Sequence, residues 1–334
     1  MKMLVTLPTE GRVQDFLSEE TKSLMEENFE VEYHDKPEPM TEEELCSRIV
    51  GKDIIVTAWA SPHIYGAPLA CHAPKLVAHL CGTVADFVDE SVYDAGVKVI
   101  SGNEYFAESV AEGCVGYIIS GLRRIPTKVA SLKAGQWREP VYVSNGLLDK
   151  TVGLVGFGSI TRHLVKMLKP FRVKLKIYSG YPIDENYLSE NGAVQASLEE
   201  IFSSCDVVSL HSAMNDRTRG MLGREHFSFM KQEAVFVNTA RGPIIRESEM
   251  IEVLSERKDI YAVLDVFEVE PLDPNSPLRS MENVYCLPHM GGPTVDRRPY
   301  IGQRVIEDAI RFAKGEPLTL EISSSRAKSM TKHK

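Results

Sequence analysis

The sequence predicts an α/β fold built on largely parallel sheets and divided into two domains. Three observations carry that expectation. Short apolar runs of strand length alternate with helical patterns along most of the chain, which is the rhythm of βαβ units. A glycine turn, Gly156-Phe157-Gly158, follows one such run and opens a helical pattern. The chain has 334 residues, more than one ordinary compact domain holds.

Taken in order, KMLVTL (2–7), DIIVTAW (53–59), KLVAHL (75–80) and VKVISG (97–102) read as strands of a first unit. The acidic TEEELCSRI (41–49) between the first two reads as a helix with a solvated outer face. A long helical stretch follows from about 107 to 135, ending in a loop with Gly135, Pro140 and Gly146. From Thr151 the alternation sharpens. Strands are expected at 151–157, 174–179, 206–211, 233–240, 261–267 and 284–289, and helices at 159–171 and 197–205. A last helix is expected over about 295–314, followed by a polar, basic tail read as a mobile terminus.

Hydrophobic residues make up 43% of the chain and charged residues 25%, the profile of a globular protein with a sizeable core. A formal net charge of -9 argues against a nucleic-acid partner. No apolar run is long enough for a membrane span, and the first residues lack the features of a secretory signal. The six cysteines are scattered, with no C-x-x-C pair, so they read as reduced thiols of a cytoplasmic protein. His63, His72 and His79 lack ligand spacing, and no metal site is expected.

The glycine turn has two readings. In a dinucleotide-binding turn the first glycine permits the tight backbone and the second lets a pyrophosphate approach, while the third serves helix packing. Gly156 and Gly158 fill the two ligand-facing roles, and Thr161 stands where the third glycine would be. Ser159 and Ile160 then open a helix whose free N–H groups suit an anion. The alternative is an ordinary βα turn. The next strand ends at Ser179, where an acidic residue would hold the adenosine ribose. That leaves NAD and NADP both open, with a lean to NAD because positive charge is scarce nearby.

Three later strand ends carry polar groups: Arg241 after VNTA, Asp265 and Glu270 in LDVFEVEPL, and His289 in LPHMGG. Together they suit one chemistry. An arginine fork holds a carboxylate and polarises a carbonyl, and a histidine near a carboxylate exchanges a hydroxyl proton.

The stretches DVVSLHSAMNDRTRGML, AVFVNTARGPII, AVLDVFEVEPL and LPHMGG occur in the order and spacing of the D-isomer-specific 2-hydroxyacid dehydrogenase family, which the chain resembles. The resemblance implies an NAD(P)-dependent oxidoreductase interconverting a 2-keto acid and a D-2-hydroxy acid. Arg241 would bind the substrate carboxylate and carbonyl, with His289 the acid/base and Glu270 its partner. Asp265 would contact the nicotinamide carboxamide. The glycine turn and Ser179 would line the rest of the cofactor, with His211, Thr239 and Ala240 nearby. It also implies two doubly wound domains, Rossmann-like and flavodoxin-like, with a cleft between them. Residues 1–103 plus 295–334 would bind substrate through Trp59, Cys81, Gly82 and Thr83, and residues 104–294 would bind NAD(P) and form a homodimer.

Departures from the family pattern are Ala213 in HSAMN, Gly113 closing Val110-Ala111-Glu112-Gly113, and Cys81 at a position usually small. They point to a pocket of its own shape. Neither substrate loop carries Lys or Arg, which disfavours a phosphorylated substrate, although Lys75 and His79 lie near in sequence. Arg297 and Arg298 read as solvated helix residues. Two other functions share this fold: an NAD(H)-sensing corepressor-like binding protein, against which the complete Arg241, Glu270, His289 set speaks, and a formate dehydrogenase, which generally has glutamine in place of the glutamate.

Overall fold

The apolar runs form strands buried at every residue, as a parallel sheet covered on both faces requires. Ile54–Thr57, Leu76–His79, Val207–Leu210, Val235–Asn238 and Tyr261–Leu264 have no exposed position. The structure is a computed structural model describing residues 1–137 and 143–332. Pro140 and the last two residues of the basic tail lie outside the described residues. The chain divides into two compact units, Met1–Ala107 with Pro293–Lys334, and Glu108–Gly292.

The first unit contains β1 (Lys2–Val5), α1 (Glu19–Asn28), β2 (Glu30–Tyr33), α2 (Glu42–Arg48), β3 (Ile54–Thr57), α3 (Ala67–Cys71), β4 (Leu76–His79), α4 (Glu90–Asp94) and β5 (Lys98–Ser101). Its sheet runs β2-β1-β3-β4-β5, all parallel. Alternate residues serve opposite faces: Met3 and Val5 join one apolar cluster with Phe16, Met25 and Ile301, whereas Leu4 joins another with Leu45, Val92 and Ala327.

Helix α5 (Asn103–Arg123) leads into the second unit. There follow α6 (Ile125–Lys133), β6 (Thr151–Val155), α7 (Ser159–Leu168), β7 (Lys174–Tyr178), α8 (Glu185–Glu190), β8 (Ala193–Gln195), α9 (Leu198–Ser204) and β9 (Val207–Leu210). The unit is completed by α10 (Arg224–Ser228), β10 (Val235–Asn238), α11 (Glu247–Glu256), β11 (Tyr261–Leu264) and β12 (Val284–Cys286). Its parallel sheet runs β12-β11-β10-β9-β6-β7-β8, so the order of winding reverses between β6 and β9. The chain returns to the first unit with α12 (Arg298–Ala313) and α13 (Ser324–Ser329).

Several expectations are corrected. The single long helix is two, because Arg124 adopts a left-handed conformation (φ 54°) and Pro126 follows at the start of α6. Proline removes a backbone donor and crowds the preceding turn, which breaks a helix there. Helix α1 and the edge strands β2 and β8 were not anticipated. EVEY mixes charges into its apolar pattern, and AVQ has only three residues. The tail, expected to be mobile, is helical over Ser324–Ser329, is capped by the Ser323 hydroxyl on Arg326 N–H at 3.2 Å, and buries Ala327.

Candidate active site

Strand registry in the second unit sets out one row of residues. Tyr178, Val155, Leu210, Asn238, Leu264 and Cys286 are successive partners across β7, β6, β9, β10, β11 and β12. The predicted residues leave the sheet just past this row. Ser179, Gly156, His211, Thr239 and Asp265 each come one position later, and Arg241 and His289 three positions later. All therefore gather at the carboxyl edge, around the point where winding reverses and where open α/β sheets bind ligands. Asp265 lies just beyond β11, not inside a strand as its sequence suggested.

At the turn, Gly156 has φ 113°, and a Cβ there would sit 2.6 Å from the Ser212 nitrogen. No other residue fits. The space where a Gly158 Cβ would point is open, and Gly158 is the N-cap of α7, whose first two residues are Ser159 and Ile160. Thr161 is fully buried, and its hydroxyl donates to the Gly156 carbonyl at 2.7 Å. The residue that breaks the glycine pattern thus ties the turn to its helix. His211 is buried beside the turn, and neither ring nitrogen has a hydrogen-bond partner among the described residues. Burial holds its pKa down at about 4. The Ser179 hydroxyl accepts from Tyr181 N–H at 3.2 Å.

The Arg241 segment is built by groups that the sequence reading passed over. Buried Asn238 accepts from Ala240 N–H at 3.0 Å and donates to the Arg241 carbonyl at 3.4 Å. The Thr239 hydroxyl meets the Cys114 thiol at 3.2 Å, and the Arg241 guanidinium donates to the Ala240 carbonyl at 2.6 Å. Gly242 presses on the next loop so closely that a Cβ would lie 1.8 Å from the Phe267 carbonyl carbon. Phe267 N–H donates to Glu270 Oε1 at 3.0 Å, and Glu270 Oε2 meets His289 Nδ1 at 2.6 Å. Asp265 accepts from the Met290 and Gly291 N–H groups, each at 2.7 Å, which pins the loop just after His289. Burial raises the Asp265 pKa, and those two N–H groups work against the rise. The signals for Asn238 and Gly242 were present in NTARGP: an amide at a strand end and a glycine before proline.

Trp59, Cys81, Gly82 and Thr83 belong to the first unit. Trp59 is 44% exposed and meets Phe16 and Phe106 edge-on at 5.5 and 5.8 Å. Cys81 is buried, which pushes its thiol far up. The Ser101 hydroxyl reaches the Cys81 and Gly82 carbonyls, at 2.8 and 2.6 Å. The Thr83 hydroxyl donates to the Thr331 carbonyl at 2.9 Å. Arg298 is corrected from a solvated residue: its side chain is only 12% exposed and pairs with Asp15 at 2.6 Å. Lys75 pairs with Asp53 at 2.8 Å, and His79 is wholly buried against Thr57 and Phe87.

Residues 115–291 match the family model for the D-isomer specific 2-hydroxyacid dehydrogenase, NAD binding domain. The chain belongs to that family. A hydroxypyruvate reductase of Thermotoga maritima is 31% identical over 88% of this chain and 95% of its own length. A D-3-phosphoglycerate dehydrogenase of Methanocaldococcus jannaschii is 32% identical over 91% of this chain, which spans only 57% of that protein. The apo structure of D-lactate dehydrogenase from Escherichia coli aligns with a TM-score of 0.72 at 25% identity, covering 97% of this chain and 100% of that one. The matched stretch, 115–291, contains the row of strand ends described above.

Two outcomes follow from this geometry. Gly242→Ala forces a methyl group into the Phe267 backbone and should destabilise the protein by about 3 kcal/mol in urea unfolding, as overpacked sites do. A change under about 0.5 kcal/mol would refute the close approach. His211 is held neutral down to about pH 4, whereas an unfolded histidine takes up its proton near 6.5. The unfolded chain therefore binds more protons in that window, and stability falls as pH drops through it. The loss approaches about 1.4 kcal/mol per pH unit for this residue. His211→Asn should flatten the urea profile between pH 6.5 and 4 by that slope; parallel profiles for the two proteins would sink the claim.

Proposed function

We propose that the protein is an NADH-dependent reductase of 2-keto acids to D-2-hydroxy acids, working reversibly. The observation that carries this reading is the 2.6 Å contact between His289 Nδ1 and Glu270 Oε2. A carboxylate on Nδ1 fixes the imidazole tautomer and orientation and leaves Nε2 for the substrate. The chain fits a dinucleotide on its own geometry: a glycine whose Cβ would strike backbone, an open position above Gly158, and a buried histidine with unused ring nitrogens. When bound, the cofactor supplies the hydride.

His289 Nε2 gives its proton to the carbonyl oxygen in reduction and takes it back in oxidation. Glu270 keeps the ring aimed and balances the imidazolium. The Arg241 guanidinium binds the substrate carboxylate and draws charge from the adjacent carbonyl. Asp265 holds the loop just after His289 through the Met290 and Gly291 N–H groups and would contact the carboxamide end of the cofactor. Gly156, Gly158, Ser159 and Ile160 would hold the pyrophosphate and Ser179 the adenosine ribose, and His211, Thr239 and Ala240 would line the remainder. NADH is favoured over NADPH by the lack of a basic residue next to Ser179, whose neighbours are Tyr178 and Gly180.

An unphosphorylated substrate such as glyoxylate or hydroxypyruvate is favoured. Of the two basic residues near these loops in sequence, Lys75 pairs with Asp53, and burial keeps His79 neutral within the core. The first unit would bind substrate through Trp59 and the Cys81–Thr83 loop. A homodimer through α6 is supported by its unburied apolar residues: Ile125, Val129 and Leu132 are 44%, 47% and 56% exposed, and Trp137 beyond them is 80% exposed. The six cysteines are all free thiols, which supports a cytoplasmic setting.

Purified protein should consume NADH, and NADPH more slowly, with glyoxylate, hydroxypyruvate, pyruvate or a branched homologue. His289→Gln should lower kcat by a factor of about 10³ and Arg241→Ala kcat/KM by a similar factor, while NADH affinity by fluorescence titration stays within threefold. Undiminished turnover in either variant would remove that residue from the mechanism. Ile125→Asp with Leu132→Asp should convert a dimer to a monomer in sedimentation velocity; an unchanged dimer would move the interface elsewhere.

A further inference from the structure

The C-terminal segment follows a traceable path across the first unit. Buried Asp308 on α12 accepts from the N–H groups of Thr319 and Leu320 at 2.9 and 3.0 Å, which fixes where the chain leaves that helix. Glu321 then bridges Ile100 in antiparallel fashion, and Ile322 N–H donates to the Val99 carbonyl at 2.8 Å, covering the β5 edge of the sheet. Beyond it, Ile322 and Ala327 pack with Val84, Phe87 and Val88, and Lys328 pairs with Glu90 at 2.7 Å. Near the last of the described residues, the Thr331 carbonyl accepts from the Thr83 hydroxyl at 2.9 Å.

Thr83 sits in the loop between Leu80 and Phe87, and the bonds within that loop divide into two kinds. Three of its carbonyls are engaged: those of Cys81 and Gly82 by Ser101, and that of Val84 by Phe87 and Val88 N–H. The N–H groups of Gly82, Thr83 and Val84 donate to nothing among the described residues. Three successive unengaged N–H groups suit an anionic ligand only while the loop holds one shape. Ser101 fixes the first part of the loop. Thr83 fixes the second, because the same hydroxyl that donates to Thr331 accepts from Ala85 N–H at 3.3 Å.

We infer that the C-terminal segment is a strap whose last bond, Thr331 to Thr83, holds the 82–84 amides in the shape that receives the substrate carboxylate. Thr83 is a positioning residue in this account, and the bond it makes to Thr331 is to the main-chain carbonyl. The inference rests on the keto-acid reductase reading for its ligand, and on the bonds above for its mechanics.

Four variants test it: Thr83→Val, a chain ending at Met330, the two combined, and Thr83→Ser. Each of the first two should raise KM for the best keto acid about five- to tenfold, the effect of losing one ordinary hydrogen bond. The rate kcat and the NADH affinity should stay within twofold. The combined variant should be no worse than either alone, since both remove the same bond. Thr83→Ser keeps the hydroxyl and should restore KM. Additive effects, or a truncation with unchanged KM, would overturn the strap. Amide exchange over residues 82–86 gives a readout independent of substrate: it should quicken at least fivefold in the truncated chain, and unchanged exchange overturns the inference. If the intact protein reduces no keto acid, the reductase reading fails by itself and the exchange result decides the strap.

Discussion

Parallel registry is the constraint on which the second unit depends. Parallel strands fix their neighbours' positions along the whole pairing, so residues far apart in sequence come out level at one edge. Tyr178, Val155, Leu210, Asn238, Leu264 and Cys286 form such a level. A shift of one residue at any strand would also turn buried side chains to the opposite face. With every residue of β9, β10 and β11 buried, that shift has no low-energy form. The core that stabilises the sheet therefore also aligns Gly156, His211, Thr239, Asp265 and the two loops bearing Arg241 and His289.

Registry brings the loops to one edge, but it does not shape them. A second layer of hydrogen bonds does so, and most of it involves short polar side chains reaching the main chain. Asn238 shapes the Arg241 segment, Asp265 the loop after His289, Thr161 the glycine turn and Ser101 the loop at Cys81. Such groups are buried and costly to leave unpaired, so each bond is enforced by its surroundings. Glycine completes the arrangement where backbones approach within contact. At Gly242 the approach lets the Arg241 segment and the Phe267–Glu270 loop share a wall.

Much of this was legible in the sequence because it is written in local patterns. Continuous apolar runs gave the buried strands, and the residues after them gave the candidate site. The parts that were missed fail for physical reasons. EVEY and AVQ are edge strands, so their outer faces are polar and the apolar signal fades. The break at Arg124 depends on a left-handed residue that arginine composition does not announce, though Pro126 does. SSSRAKS looks like a solvated tail, since its buried residue, Ala327, does not stand out among the serines. Thr161 was read as a missing glycine, when its hydroxyl makes a bond that glycine lacks. Contacts distant in sequence, such as Thr83 with Thr331, have no local signature at all.

The charge of the chain sharpens what these arrangements are for. A protein with a net charge of -9 repels small anions on average, so an anionic substrate must be met by a few groups of fixed position. The acidic residues of the candidate site are consistent with that demand because none presents a free anion. Asp265 is capped by two N–H groups, and Glu270 divides its oxygens between Phe267 N–H and His289. Arg298 in the first unit is bound to Asp15, so its charge is locally balanced too. The Arg241 guanidinium in one unit and the main-chain N–H groups at 82–84 in the other are the candidates of that kind. Both depend on backbone shape more than on net charge. For such a site, the bonds that fix loop geometry matter as much to binding as the groups that touch the ligand.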